Sequence, residues 1–240
     1  MRIMNENISL WNLIKEDFAN PIKNDPAFHS RIELMFNYPG IWAIVNYRVA
    51  SRFYKNGFKR IARVISGLTQ FFTNIDIHPA CEIGRRVFID HGFGVVIGET
   101  TIIEDDVLIY QGVTLGGVSL DKGKRHPTIK SNVVIGGGAK VLGNILIEEN
   151  AKIGANSVVV KDVPKNCTAM GIPAKIMMPK DKQNKLDHNN LPDFDKEMFE
   201  YLIKRVAVIE HALKVQDDID LSKEDKKLED VYQNFIEAIK

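Results

Sequence analysis

Aliphatic side chains return at every sixth position over most of the stretch between Asp76 and Pro173. The frame moves twice, by two residues at 94–96 and by a longer insertion after Leu115. Short strands joined by tight turns give a spacing of six, whereas helices and simple strands do not. The pattern therefore predicts a parallel β-helix with three hexads, roughly 18 residues, in each coil. The predicted inward residues are Ile77, Ile83, Ile89, Val95, Ile97, Ile103, Ile109, Leu115, Ile129, Ile135, Val141, Ile147, Ile153 and Val159.

Residues 1–72 carry helical patterns instead. Asp25-Pro26 is typical of a helix start with Asp25 as N-cap, Pro39 can open the next helix, and Gly57 can end it. We expect these helices to cap the first coil, whose core and strand edges would otherwise be open. The apolar positions of the last two helices are Ile41, Ile44, Val45, Val49 and Phe53, then Phe58, Ile61, Ile65, Leu68 and Phe72.

The chain divides by pattern into three parts. Residues 1–72 are the helical domain, and residues 73–176 are the β-helix with an excursion loop at 116–127. Residues 177–240 read as a polar linker followed by a helical hairpin, because apolar residues return there at helical spacing. The stripes of the hairpin are Phe199, Leu202, Ile203, Val206, Ile209 and Leu213, then Leu228, Val231, Tyr232, Phe235, Ile236 and Ile239.

Composition narrows the function classes. The formal net charge of +1 gives no general attraction to nucleic acid or to an anionic membrane. No apolar run reaches the length of a bilayer span, and the first residues lack the core of a signal peptide. Cys81 and Cys167 are the only cysteines. We therefore predict reduced thiols in a cytoplasmic protein.

The first candidate for chemistry is His91, beside the two-residue frame shift. Asp90 precedes it and should point away from the core, because Ile89 points inward. Asp76 lies close to one coil length before His91, so the two can meet at a corner. If they do, His91 is a general base and Asp76 orients its imidazole. No His/Cys set has zinc spacing, so we expect no metal site.

The second candidate is the end of the excursion loop, where Arg125 and His126 lie. Arginine offers a planar fork for a carboxylate, although a solvated basic loop explains the same residues equally well. The glycines at 116–117 and 136–138 leave backbone groups accessible, so a long ligand could lie along the coils.

Four segments together closely resemble the serine O-acetyltransferases, a family of hexapeptide-repeat acyltransferases, over about residues 25–176. They are DIHP at Asp76–Pro79, DHGFG at Asp90–Gly94, VTLGG at Val113–Gly117 and RHP at Arg125–Pro127. The resemblance implies that the β-helix, which lies between the helical domain and the helical appendage, is left-handed. It also implies acetyl transfer from acetyl-CoA, a co-substrate rather than a bound cofactor, to the L-serine hydroxyl in the first step of cysteine synthesis.

The resemblance also implies residue roles. His91 matches the base and Asp76 its partner. The amino acid would be held by Asp25, Asp90, Arg125 and His126, and the acetyl-CoA cleft would be lined by Gly117, Gly137 and Ala155. We expect direct transfer in a ternary complex, because no residue is a convincing acyl carrier.

The resemblance bears on partners as well. The family's sites lie between subunits of a trimer, and L-cysteine is the expected feedback inhibitor. The short segment before Asp25 favours a plain trimer over a hexamer. The Ile239-Lys240 end argues against a complex with O-acetylserine sulfhydrylase. Two alternatives stay open: a related acyltransferase acting on a sugar or on homoserine, and a β-helix that only scaffolds a partner.

Overall fold

Between Leu10 and Met177 the helices precede the strands. The computed structural model describes residues 8–178, 199, 201–207 and 209. The first part of this region folds into four helices, α1 (Leu10–Asn24), α2 (Glu33–Phe36), α3 (Pro39–Lys55) and α4 (Lys59–Thr73). Pro39 opens α3 at its first turn, and Gly57 follows its end with a positive φ of 90°, as predicted.

Fifteen short strands follow, most of them two residues long. They are β1 (Asp76–Ile77), β2 (Glu82–Ile83), β3 (Phe88–Ile89), β4 (Val96–Ile97), β5 (Ile102–Ile103), β6 (Leu108–Ile109), β7 (Thr114–Gly116), β8 (Thr128–Ile129), β9 (Val134–Ile135), β10 (Lys140–Leu142), β11 (Leu146–Ile147), β12 (Lys152–Ile153), β13 (Val158–Val159), β14 (Thr168–Gly171) and β15 (Ala174–Met177). Gly116 belongs to β7, so the excursion loop covers residues 117–127.

The strands form three sheets that wrap around one core. The first sheet has the order β1-β4-β7-β10-β13, the second β11-β8-β5-β2 and the third β15-β14-β12-β9-β6-β3. All pairs are parallel except the β14–β15 hairpin.

The register records both breaks in the period. Val96 pairs with Thr114, a regular coil of 18 positions. Asp76 pairs with Val96, so that coil is two positions longer than the regular one. Thr114 pairs with Lys140, so the excursion loop lies within one coil. Both breaks therefore bulge from the stack without changing the pairing around them.

All of the predicted inward residues are buried, with exposed fractions of 4% or less. A second inward row, which the period of six did not single out, lies two positions earlier in each hexad. Its members are mostly smaller, and they include Cys81, Val87, Thr101, Val107, Val113, Val133, Ala139, Ala151 and Ser157. Cys81 and Cys167 are free and buried, and burial raises the pKa of Cys81 to about 12.

The helices cover the open end of the first coil with hydrogen bonds as well as apolar contacts. The Tyr47 hydroxyl donates to the Cys81 carbonyl at 2.7 Å and accepts from the Ile83 N–H at 3.1 Å. The Arg48 guanidinium donates at 2.6 Å to the carbonyls of Ile83 and Gly84. Because β2 is an edge strand, these bonds satisfy backbone groups that no strand pairs. The predicted capping role is thus confirmed.

Arg48 also forms a buried ion pair. Its Nε lies 3.1 Å from Asp17 Oδ2, and both side chains are at most 5% exposed. Burial raises the pKa of Asp17, and the charge of Arg48 opposes that shift. The pair therefore ties α1 and α3 to the coil through one side chain.

Two expectations about the helices are wrong. Asp25 caps the C-terminal end of α1, and its carboxylate accepts from the Ala27 N–H at 2.8 Å, so the chain turns at Pro26 instead of starting a helix. In α4, the small residues Ala62, Ser66 and Thr69 face inward. The predicted apolar positions there are exposed except Ile65, which is half-buried, while at the end of α3 Val49 is half-buried and Phe53 is exposed. The buried positions of α4 carry small side chains, because α3 and α4 pack closely.

The C-terminal end of the stack closes with β14 and β15, which pair antiparallel. The chain separates into two compact units, Met1–Asn184 and Lys185–Lys240. In the second, residues 201–207 are helical. Most of the predicted linker and hairpin lies outside the described residues. Among the helices that are described, none is long and apolar enough to cross a membrane.

Replacing Arg48 by Met should destabilise the fold by ~3–5 kcal/mol, because Asp17 would remain buried without its partner. The carboxyl pKa, already raised, should rise further, and such a group stabilises at low pH and loses that contribution as pH rises. The defect should therefore be smaller at about pH 5 than at about pH 8, measured by urea unfolding. Arg52→Ala, at an exposed position on α3, is the matched control and should change little.

Thr101 offers the opposite test. Its hydroxyl is buried and has no hydrogen-bond partner among the described residues. Thr101→Val should stabilise the protein by about 1 kcal/mol. Ser157 occupies an equivalent inward position, but its hydroxyl accepts from the Gly171 N–H at 3.1 Å, so Ser157→Ala should cost about 1 kcal/mol. Equal unfolding midpoints for the two variants would contradict this assignment.

Candidate active site

His91 lies at the corner between β3 and β4, where the coil is two residues longer. Its backbone is left-handed, with φ of 57°, and its side chain is exposed. Gly92 follows, also with positive φ, and a Cβ there would lie 2.5 Å from Ile75 Cδ1. The tight packing of Gly92 against Ile75 therefore fixes the corner, while the imidazole before it faces solvent.

Acidic and phenolic groups surround this corner. The Tyr38 hydroxyl donates to Asp25 Oδ2 at 2.6 Å. Burial raises the pKa of Asp90, the charge of His91 opposes the shift, and the Asp25 carboxylate adds to it. Burial raises the pKa of Tyr110 as well, with further contributions from Asp90 and Asp25. These residues, Asp25, Tyr38, Asp90, His91 and Tyr110, are called the acidic cluster below.

Asp25 lies in the cluster because it caps the C-terminal end of α1. The sequence signal that could have located this contact is Tyr38, which lies just before Pro39. Its hydroxyl and the Ala27 N–H occupy one oxygen each of the Asp25 carboxylate. The cluster therefore places two carboxylates near one imidazole, an arrangement suited to a cationic group.

Asp76 begins β1, and its N–H donates to the Val95 carbonyl at 2.9 Å. Within the described part of the chain, no hydrogen bond or ion pair joins its carboxylate to His91. Its charge acts on His78 instead. Burial lowers the pKa of His78, Arg63 adds to that shift, and Glu99 and Asp76 oppose it. The Asp76–His91 pair stays a prediction.

Arg125 and His126 end the excursion loop at another corner, between the first and second sheets. Arg125 Nη2 lies 2.6 Å from Glu99 Oε2, and this hydrogen bond lowers the pKa of Glu99. His126 is only 8% exposed, and its Nδ1 lies 3.2 Å from the Thr100 backbone nitrogen. These residues, Glu99, Thr100, Arg125 and His126, are called the basic cluster.

The residues expected to line an acetyl-CoA cleft fall at two places. Gly137 and Ala155 lie on the column of corners above His91, where Gly138 donates to Gln111 and Asn156 donates to Gly137. Gly117 lies beside the Arg125 side chain, so a Cβ there would sit 3.2 Å from Arg125 Cγ. The first two therefore share a column with the acidic cluster, and the third neighbours the basic cluster.

The acidic and basic clusters are separate within one chain. They occupy different corners, with β4 between them, and no hydrogen bond or ion pair connects them among the residues the structure describes. No group of three or more His, Cys, Asp or Glu side chains there is arranged to hold a metal ion. One chain thus presents two separate clusters, one with the carboxylates of Asp25 and Asp90 and one with the Arg125 guanidinium beside Glu99.

Comparison with known proteins identifies the family. A family model described as bacterial transferase hexapeptide (six repeats) matches residues 126–161. A serine acetyltransferase of Synechococcus elongatus is 45% identical over 205 residues, which cover 85% of this chain and 84% of that protein. That of Bacillus subtilis is 46% identical over 205 residues, 85% and 94% of the two chains. The chain belongs to the serine acetyltransferase family.

Solved serine acetyltransferases share the fold. The soybean enzyme complexed with serine is 41% identical, with a TM-score of 0.68 over 70% of each chain. A serine acetyltransferase in complex with CoA has 41% identity and a TM-score of 0.66, and one in complex with cysteine has 41% and 0.69, each over 71% of both chains. The predictions of a left-handed β-helix and of an acyltransferase are confirmed.

Proposed function

We propose that the chain transfers the acetyl group of acetyl-CoA to the hydroxyl of L-serine, giving O-acetyl-L-serine and CoA. The relatives named above are serine acetyltransferases, and solved structures of such enzymes contain serine or CoA. The observation that carries the proposal is the pair of clusters. An amino acid needs an anionic site for its ammonium group and a cationic site for its carboxylate, and this chain offers both.

The amino acid is bound by charge complementarity. Asp25 and Asp90 hold the ammonium group, since they are neighbouring carboxylates that no described lysine or arginine pairs. Arg125 holds the carboxylate through its guanidinium fork. Glu99 already accepts from Arg125 Nη2 at 2.6 Å, so the guanidinium keeps one orientation before substrate arrives. Prior orientation lowers the entropic cost of binding.

His91 supplies the base. As the serine Oγ attacks the thioester carbonyl, His91 takes the hydroxyl proton, and the carbonyl oxygen becomes an oxyanion. The intermediate then collapses, the carbon–sulfur bond breaks, and the imidazolium returns the proton to the CoA sulfur. Asp76 would orient His91 once substrate closes the site, since such contacts are often long without it. Acetyl passes directly, with no acyl-enzyme.

A complete site is assembled from two copies of the chain. The acidic cluster of one copy meets the basic cluster of the next, as three-fold association around the coils would allow. A plain homotrimer is the assembly we favour. The long excursion loop fits this role, because its residues 117–124 are exposed beside the basic cluster. Acetyl-CoA lies along the column of Gly137 and Ala155, with Gly117 contributed beside Arg125.

L-cysteine is proposed as an inhibitor at the serine site. It carries the same ammonium and carboxylate groups, and one serine acetyltransferase structure is a complex with cysteine.

A permanent cofactor is not needed, because the base and the charged groups are side chains. A cytoplasmic location and the lack of a stable sulfhydrylase complex stay predictions.

The function is tested by CoA release with serine, homoserine and a set of sugars as acceptors. We expect serine to be preferred, and His91→Ala to lower kcat by about a thousandfold, in keeping with the loss of a general base. CoA binding, measured by calorimetry, should be unchanged. His29→Ala, at an exposed histidine on the turn after α1, should retain full activity. Near-normal turnover by His91→Ala, or a preference for another acceptor, would contradict the proposal.

The shared site is tested by mixing two inactive variants, His91→Ala and Arg125→Ala. If each site takes His91 from one copy and Arg125 from its neighbour, co-expression should restore about one quarter of wild-type activity, because random mixing leaves that share of sites intact. Each variant alone should stay nearly inactive. Proven mixed oligomers without recovery would show that one chain supplies both residues.

A further inference from the structure

Thr100 makes an unusual set of contacts for a corner residue. Its hydroxyl accepts from the backbone N–H of Arg125 at 3.0 Å and from that of His126 at 3.2 Å. The same oxygen lies 2.8 Å from His126 Nδ1. Thr100 therefore contacts both functional residues of the loop, although 25 positions separate it from the nearer one.

The backbone of Thr100 fixes the proton on His126. The Thr100 N–H donates to Nδ1 at 3.2 Å, and a backbone N–H can only donate. Nδ1 therefore carries no proton, and the neutral imidazole has its hydrogen on Nε2. The Thr100 hydroxyl, which already accepts two N–H groups, can direct its own hydrogen to the same Nδ1. Both contacts favour one tautomer.

Charge and packing act in the same direction. Burial lowers the pKa of His126, and Arg125 and Lys124 add to that shift, so the ring is neutral near physiological pH. Gly98 leaves the space for the ring, because a Cβ at that position would overlap the imidazole. His126 is therefore a neutral ring with a fixed orientation and one N–H to donate.

We propose that Thr100 is a positioning residue: its backbone N–H and hydroxyl hold His126 as the Nε2–H tautomer and fix the end of the excursion loop, so that His126 meets the bound amino acid as a hydrogen-bond donor. This rests on the proposed function for the identity of the substrate. The tautomer itself does not depend on it. Residues 117–124 of the loop are exposed, so the loop relies on its two ends for order.

A first experiment measures the tautomer directly, by nitrogen NMR of the full-length protein labelled at histidine. We expect Nδ1 of His126 to resonate as an unprotonated nitrogen and Nε2 as a protonated one, assigned by comparison with His126→Asn. In Thr100→Val, which keeps the N–H but removes the hydroxyl, the Nε2–H tautomer should persist, because the backbone N–H still donates to Nδ1. A wild-type signal from protonated Nδ1 would overturn the proposal.

A second experiment measures kinetics with serine. Thr100→Val should raise KM for serine about tenfold, because the end of the loop loses the hydroxyl that accepts from two of its backbone N–H groups, with a smaller change in kcat. Thr100→Ser keeps the hydroxyl and should restore KM to within about twofold. Thr168→Val, at the far end of the stack, controls for the substitution itself.

The two experiments distinguish failure of the positioning role of Thr100 from failure of the proposed function. An unchanged KM in Thr100→Val, or an equal rise in Thr100→Ser, would refute the positioning role. If the wild-type protein does not acetylate serine while the NMR shows the Nε2–H tautomer, the proposed function fails and the tautomer assignment stands. Thermal unfolding of all variants within the wild-type range would show that a general loss of structure does not explain the kinetic effect.

Discussion

The fold depends on hydrogen-bond partners for the unpaired backbone groups at the open edge of its first coil. A β-helix pairs every strand with the coil above and below, so the first coil leaves backbone groups without partners. Tyr47 and Arg48 supply them, and Arg48 brings Asp17 with it into the buried interface. The helices are therefore a structural requirement of the coil. Since Asp25 caps the end of the helix that carries Asp17, the same interface sets the position of one carboxylate of the candidate active site.

The regular stack supplies rigidity, and the candidate active site lies where the regular period breaks. The stack is rigid because each hexad buries one aliphatic side chain and a smaller one beside it. Chemistry requires exposed, specifically oriented groups, and these lie where the period breaks. His91 lies on a left-handed corner at the two-residue insertion, and the loop returns Arg125 and His126 to the stack. The register around each break is unchanged, so both are held to a fixed frame.

Electrostatics gives the two clusters distinct roles. Burial raises the pKa of Asp90 and lowers the pKa of His126, so both shifts favour the neutral form of the side chain. Neighbouring charges then distinguish them: His91 favours charged Asp90, whereas Arg125 and Lys124 keep His126 neutral. One imidazole is thus exposed, as the proposed base requires, while the other is enclosed, as the proposed donor requires. The difference comes from surroundings, because the side chains are chemically identical.

The sequence by itself determined the coil, its inward residues and the two breaks, because a strict period of six leaves one fold. The left hand came only from the family resemblance, since the general preference for right-handed crossovers points the other way. Only the tertiary structure decided the contacts between distant elements: Arg48 with β2, Tyr38 with Asp25, and Thr100 with His126. It also reversed the expected face of α4, because close packing against α3 selected Ala62 and Ser66 over larger residues. Periodicity reports which side chains are apolar, whereas contacts depend on where the turns bring each element.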